Sequence, residues 1–158
     1  MYIEKDAFEK LVDKYSDSVY RVAYNYCGNH SDAQDIVQET FLRYIKKQPD
    51  LETEEHQRAW LLRVAINLSK DYLKSYWFKN TSELTEDIPI KQDDNKAIWD
   101  SVRKLPQKYR IVIELYYKEG YSIKEIADIL KKKQATIGTW LSRGKKILEK
   151  TLKEDIYG

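Results

Sequence analysis

The chain has 158 residues, 42% of them apolar and 34% charged, with a formal net charge of +2. That suits one globular domain or two small ones, and no apolar run approaches the roughly eighteen residues needed to span a bilayer. Five glycines, three prolines, one cysteine and two histidines exclude collagen-like repeats, most turn-rich β architectures, an internal disulfide and an evident metal cluster.

Charge is unevenly distributed. Residues 1–60 sum to −4, residues 61–79 to +3, residues 80–100 to −4 and residues 101–158 to +7. A chain so polarised offers separate surfaces to partners of opposite sign. The opening Met1–Asp6, charged from Glu4 onward, predicts no secretory signal. A soluble, reduced, cytoplasmic helical protein is expected.

Phe8, Leu11, Val12, Tyr15, Val19, Val22 and Tyr26 recur at steps of three and four, which predicts an amphipathic helix over residues 5–27, ended by Gly28-Asn29. Ser31 followed by Gln34 predicts a capping box. The helix it opens should turn Ala33, Ile36, Val37, Phe41, Tyr44 and Ile45 inward and stop near Gln48-Pro49. An acidic loop, Asp50 to Gln57, comes next. A helix over about 57–77 should bury Trp60, Leu61, Val64, Ala65, Leu68 and Tyr72, leaving Arg58, Arg63, Asn67, Lys70 and Lys74 on its other face. Trp60 lies on the apolar stripe and reads as core rather than as a stacking platform.

From Asn80 to Asn95 the periodicity dissolves into an acidic, polar stretch with one proline, read as a linker. Beyond it Ile98, Trp99, Val102 and Leu105 mark a short helix ended by Pro106. Tyr109, Val112, Ile113 and Tyr116 give the next its buried stripe, stopped by Gly120. Ser122 and Glu125 form a capping box ahead of Ile123, Ile126, Ala127 and Leu130, and a last helix from Gln134 carries Ile137, Leu141, Leu148 and Leu152 inward. No segment alternates with period two. The fold class expected is all-α, as two small helical domains over 1–79 and 96–158 joined by a flexible linker, 80–95.

Residues 122–152 have the size and pattern of a helix-turn-helix. The second helix would turn Gly138, Thr139, Ser142, Arg143, Lys145 and Lys146 outward, and residues 131–150 hold seven basic groups against Glu149. Short hydroxyls flanked by Arg and Lys suit a major groove: Arg and Lys hold phosphates or guanine edges, and small side chains permit close approach. The bland reading is a lysine-solvated helix on a bundle. No nucleophile–base pair, phosphate-cradling glycine loop or cofactor motif stands out, so no enzymatic activity, cofactor or small-molecule substrate is expected.

Four segments together resemble bacterial sigma factors of the extracytoplasmic-function group: Asp32-Ala-Gln-Asp-Ile-Val-Gln-Glu-Thr-Phe-Leu-Arg43, Arg58-Ala-Trp-Leu-Leu-Arg-Val-Ala-Ile-Asn-Leu68, Leu105-Pro-Gln-Lys-Tyr-Arg110 and Glu119-Gly-Tyr-Ser-Ile-Lys-Glu-Ile-Ala127. The resemblance runs from about residue 6 to 153 apart from the linker. It implies a sigma-2 and a sigma-4 module that bind core RNA polymerase through its beta-prime clamp and beta flap. Asp35, Gln38 and Glu39 match the family's clamp-binding pattern, and their i, i+3, i+4 spacing puts them on one helical face. For the minus-ten element it implies a flipped base held by the loop around Asp50 to Gln57 together with Asn67, with Leu51 a candidate rim of the pocket and Arg58, Arg63, Lys70 and Lys74 on phosphates of the melted strand. Thr139, Ser142 and Arg143 would read the minus-thirty-five element, beside Gly138, and Lys145 and Lys146 would bind phosphate. An anti-sigma protein is a further expected partner, and the means by which the chain would be held at a membrane. Two features depart from the family: Gly138 and Trp140 stand where relatives often carry basic residues, and Lys131 and Lys132 replace a usual glycine and an apolar residue in the turn. From the residues alone, a dimeric helix-turn-helix repressor and a protein-holding adaptor remain as alternatives.

Overall fold

The apolar periodicity of the first half resolves, in the computed structural model, into three helices: α1 (Lys5–Cys27), α2 (His30–Lys47) and α3 (Glu54–Lys79). The structure describes residues 4–79 and 96–157, so the expected linker 80–95 lies outside the described residues. All regular structure among the described residues is helical, in two compact units, the first built of α1–α3.

Gly28 ends α1 at φ 72°, a left-handed conformation that costs a glycine little. The next residue starts α2. Asn29 is extended, and its side chain accepts the Asp32 N–H at 2.9 Å. The expected Ser31–Gln34 box therefore does not form. Asn29 is an equally good cap placed two residues earlier, which leaves Ser31 inside the first turn. Along α2, Ala33, Ile36, Thr40, Phe41 and Tyr44 are buried while Val37 is half-buried and Ile45 is exposed. The stripe is narrower than expected, and Thr40 takes a core place because its hydroxyl donates to the Ile36 carbonyl at 2.7 Å.

The following loop is shorter than Asp50–Gln57: Glu54–Gln57 already belong to α3. Thr53 starts that helix, its hydroxyl accepting the His56 N–H at 3.1 Å. Because α3 packs on both α1 and α2, its buried face is rotated and widened relative to the sequence expectation. Leu61, Leu62, Ala65, Ile66 and Ser69 are buried, whereas Trp60, Val64, Leu68 and Tyr72 are half-buried at its edges. Ser69 is accommodated like Thr40, by a 2.7 Å bond to the Ala65 carbonyl.

The second unit holds α4 (Lys96–Arg103), α5 (Gln107–Ile113), a π-helical segment (Glu114–Lys118), α6 (Ile123–Leu130) and α7 (Gln134–Tyr157). Val102, Leu105, Tyr109 and Ile113 form a buried cluster against which Trp99, Trp140, Leu141 and Leu148 pack. Ile98 is exposed rather than inward. The expected single helix over Tyr109–Tyr116 also differs. In the π segment the Glu119 N–H reaches back five residues to the Glu114 carbonyl at 3.0 Å, adding a residue to that turn. Leu115 is consequently buried, and Tyr116 and Tyr117 are turned out. Gly120 ends the segment at φ 78°.

Both arms of the capping box ahead of α6 are present, Ser122 Oγ with the Glu125 N–H at 3.1 Å and Glu125 Oε1 with the Ser122 N–H at 3.0 Å. The turn without glycine closes on Lys131 at φ 55° and ψ 50°, and the Lys132 N–H bonds the Ala127 carbonyl at 3.0 Å. Lysine occupies the left-handed position that glycine would fill at lower cost.

Gly144, which the sequence pattern did not single out, is buried where α7 crosses α5. A Cβ there would lie 2.9 Å from Ile113 Cδ1 and 3.0 Å from Tyr109 Cβ. At Gly138 a Cβ would meet nothing within 4 Å. Opposite outcomes are expected from the same substitution. Gly138→Ala should raise stability by up to about 1 kcal/mol through helix propensity. Gly144→Ala should lower it by about 1 kcal/mol net, because Tyr109 Cβ is tied to backbone and overpacking outweighs the propensity gain. Urea unfolding of the full chain checks both.

Candidate polymerase and nucleic-acid faces

Helix α2 presents a stripe of mixed chemistry. Asp35 and Gln38 are exposed, and Glu39 is half-buried with Oε1 3.3 Å from Arg43 Nε. That i, i+4 pair is largely solvated, so it contributes well under about 1 kcal/mol and a partner's cation can replace it. Leu42 lies seven residues after Asp35, on the same stripe, and is 49% exposed. Sequence reading missed it. The available signal was an apolar side chain off the buried stripe, and an apolar centre ringed by polar groups is the usual make-up of a protein-binding patch.

Helix α3 carries the second face. Asn67, Lys70 and Lys74 are exposed, and with Arg63 they fall at i, i+4, i+7 and i+11 along one stripe. Arg58 and Arg63 are half-buried rather than open, and Arg63 Nε is itself buried. Leu51 is half-buried in the loop before α3, with Asp50 exposed beside it. Two contacts hold the start of α3: the Tyr15 hydroxyl donates to the Glu54 carbonyl at 3.2 Å, and Lys14 Nζ lies 2.7 Å from Glu54 Oε2. Trp60 meets Tyr44 edge to face at 5.6 Å, a core packing.

A polar cluster joins the α1–α2 turn to the middle of α3. Asp32 Oδ2 accepts from Asn29 Nδ2 at 2.5 Å and from the Tyr72 hydroxyl. Burial, with Asp32 nearby, pushes the Cys27 thiol from an ordinary 9.0 up to about 12. Burial, and the bond to Asp32, hold the Tyr72 hydroxyl well above its ordinary value. The Tyr20 hydroxyl lies 2.7 Å from His30 Nδ1 on the same turn.

The third face is on α7. Thr139, Ser142, Arg143, Lys145 and Lys146 are all exposed and Gly138 is half-buried, while Ile137 and Gly144 are buried behind them. Trp140 packs on the core cluster, so the departure there does not alter the outward face. Lys131, Lys132 and Lys133 are exposed in the turn that precedes it. Among the described residues no three His, Cys, Asp or Glu side chains group to hold a metal ion, and no helix is long and apolar enough to cross a membrane.

Comparison with known proteins gives the following. The family model for sigma-70 region 2 matches residues 11–78, and that for sigma-70 region 4 matches residues 95–148. The chain is 32% identical to the ECF RNA polymerase sigma factor SigW of Bacillus subtilis, over 96% of this chain and 91% of that one. It is 33% identical to the ECF RNA polymerase sigma factor BldN of Streptomyces coelicolor, over 96% of this chain and 62% of that one. Among solved structures it is similar to the sigma factor RpoE of Bartonella quintana, crystallised with the anti-sigma factor NepR. The TM-score is 0.80 at 22% identity, over 95% of this chain and 98% of that one.

The raised thiol sets two expectations. At pH 8, iodoacetamide should modify Cys27 at least about a hundredfold more slowly than free cysteine, because the thiolate is the reactive form. The folded chain holds the Cys27 and Tyr72 protons more tightly than the unfolded chain does. Their stabilising contribution is therefore complete below about pH 9 and is lost as pH climbs from 9 toward 12. Urea midpoints measured across that range should fall, and Cys27→Ala should flatten part of the fall.

Proposed function

The chain belongs to the extracytoplasmic-function group of the sigma-70 family, and on that premise we propose how its faces divide the work of promoter selection. It is a sigma factor, which directs promoter-specific transcription initiation. Residues 1–79 act as the module that docks on core RNA polymerase and opens the minus-ten element. Residues 96–158 read the minus-thirty-five element as duplex, and 80–95 is the linker that joins the two modules in sequence. The observation that carries this division is the segregation of chemistry on exposed stripes: carboxylates, an amide and a leucine on α2, an amide with cations on α3, hydroxyls with cations on α7.

Asp35, Gln38 and Glu39 engage basic groups of the beta-prime clamp, with Leu42 at the centre of the contact. On α3, Asn67 offers an amide that can pair with the Watson–Crick edge of an extruded base, beside Leu51. Flipping that base costs a few kcal/mol, which the pocket must offset. Arg58, Arg63, Lys70 and Lys74 bind phosphates of the melted strand. On α7, Thr139, Ser142 and Arg143 face base edges, Gly138 lets the helix approach closely, and Lys145 and Lys146 hold the backbone. No covalent step is needed: binding energy to polymerase and to two DNA elements drives strand separation. The beta flap is the expected polymerase contact of the second module. An anti-sigma protein that covers the docking faces would restrain the factor, in the cytoplasm or at a membrane to which that protein is anchored.

Three expected outcomes test this reading. Asp35→Lys with Glu39→Lys should abolish binding to core polymerase while circular dichroism stays unchanged; retained binding would remove the clamp assignment. Asn67→Ala should slow open-complex formation more than it weakens polymerase binding. Arg143→Ala should cost about 1–3 kcal/mol at one upstream base pair if it reads a base edge, and should act evenly across sequences if it holds phosphate. Run-off transcription with sigma-free polymerase on a randomised promoter library checks the whole assignment, and absence of start-site selection would overturn it.

A further inference from the structure

The α1–α2 turn and α3 are forty residues apart in the chain, yet one carboxylate connects them. Asp32 sits in the first turn of α2. Its backbone N–H donates to Asn29 Oδ1 at 2.9 Å, and its Oδ2 accepts both Asn29 Nδ2 at 2.5 Å and the Tyr72 hydroxyl. Asn29 is itself buried, so this group is held from both sides. Asp32 precedes Asp35, the start of the polymerase-facing stripe, by one turn. Tyr72 lies between Lys70 and Lys74 and five residues after Asn67, on the flank of α3 away from the exposed stripe.

Leu61, Leu62, Ala65 and Ile66 form a wide, non-directional buried face, and Tyr15 and Lys14 hold α3 only at its start; each residue of rotation would swing an outward side chain by about 100°. A hydrogen bond between a hydroxyl and a carboxylate is directional, and it weakens steeply when bent. We propose that the Tyr72–Asp32 hydrogen bond is a positioning contact that locks the DNA-facing helix α3 in register with the polymerase-facing helix α2. Docking on polymerase then delivers Asn67 to the melted strand. The proposal rests on the assignment of α2 and α3 given above, and adds to it a pair of residues that touch neither partner.

The test compares Tyr72→Phe, Asp32→Ala, the double variant and Asp32→Asn with the unaltered chain. Affinity for core polymerase and the rate of open-complex formation are read separately, on a promoter selected from the randomised library. Affinity should stay within about twofold throughout. Opening should slow about tenfold in Tyr72→Phe and Asp32→Ala alike, and the double variant should be no worse than either. Asp32→Asn, whose carbonyl can still accept the tyrosine proton, should recover most of the rate. Opening at the unaltered rate in Tyr72→Phe, or a parallel loss of affinity and opening, would overturn the proposal. If Asp32→Ala fails to fold, Tyr72→Phe still decides, since it keeps the ring and removes one oxygen. Asn67→Ala, assayed beside them, separates the two levels: slow opening there with normal opening in Tyr72→Phe rejects only the positioning role. Normal opening in both rejects the assignment of α3 as well.

Discussion

Much of the first unit follows from one demand on α3. This 26-residue helix must bury a face against two other helices and still leave a continuous polar stripe to solvent. Both requirements are met by a wide buried arc, in which Ser69 can sit at zero exposure because its hydroxyl bonds the preceding turn. The polar stripe then occupies what remains of the circumference, with Arg63 half-buried on it, whereas Arg58 stands in line with the buried Leu62, Ala65 and Ser69, at i, i+4, i+7 and i+11, rather than on the polar face the sequence pattern suggested. The short loop ahead of α3 and the contacts of Tyr15 and Lys14 to Glu54 fix where the helix begins, hence which residues the stripe contains.

The second unit solves a different problem, that of projecting a helix outward while anchoring it. A closely packed crossing at Gly144 and an aromatic anchor at Trp140 hold α7 on one side. On the other side Thr139, Ser142, Arg143, Lys145 and Lys146 are exposed. The π segment sets the geometry of what comes before: by adding one residue to a turn it buries Leu115 and turns two tyrosines out. Lys118 Nζ, at its end, lies 4.5 Å from the Trp99 ring, a cation–π contact that ties the segment to α4.

Helix number, order and approximate extent were legible because 3.6-residue periodicity is a property of the chain itself, and the Ser122–Glu125 box was legible because its two arms lie within four residues. What could not be read depends on partners far along the chain. Ile45, Ile98 and Tyr116 have apolar side chains at helical spacing, yet each is exposed, since the neighbouring helices define narrower arcs or, for Tyr116, the turn itself is widened. The cap at Asn29 was missed because Asn29 and Ser31, two residues apart, could both serve, and only the fold selects between them. Of the candidate faces, the sequence indicated the exposed stripes of α2, α3 and α7. Leu42 was missed although its place off the apolar stripe was a local signal, whereas Gly144 and the Asp32–Tyr72 bond depend on three-dimensional packing that no local pattern encodes.

Gly144 and the outward residues of α7 lie on one helix under opposite constraints. The inward position admits no added atom without displacing Ile113 or Tyr109, whereas Thr139, Ser142 and Arg143 are exposed. Mutations at those three sites are thus nearly free of folding cost. On the assignment proposed for α7, a lineage carrying this scaffold could change which genes it switches on by altering a few letters, with the spine that presents them left untouched.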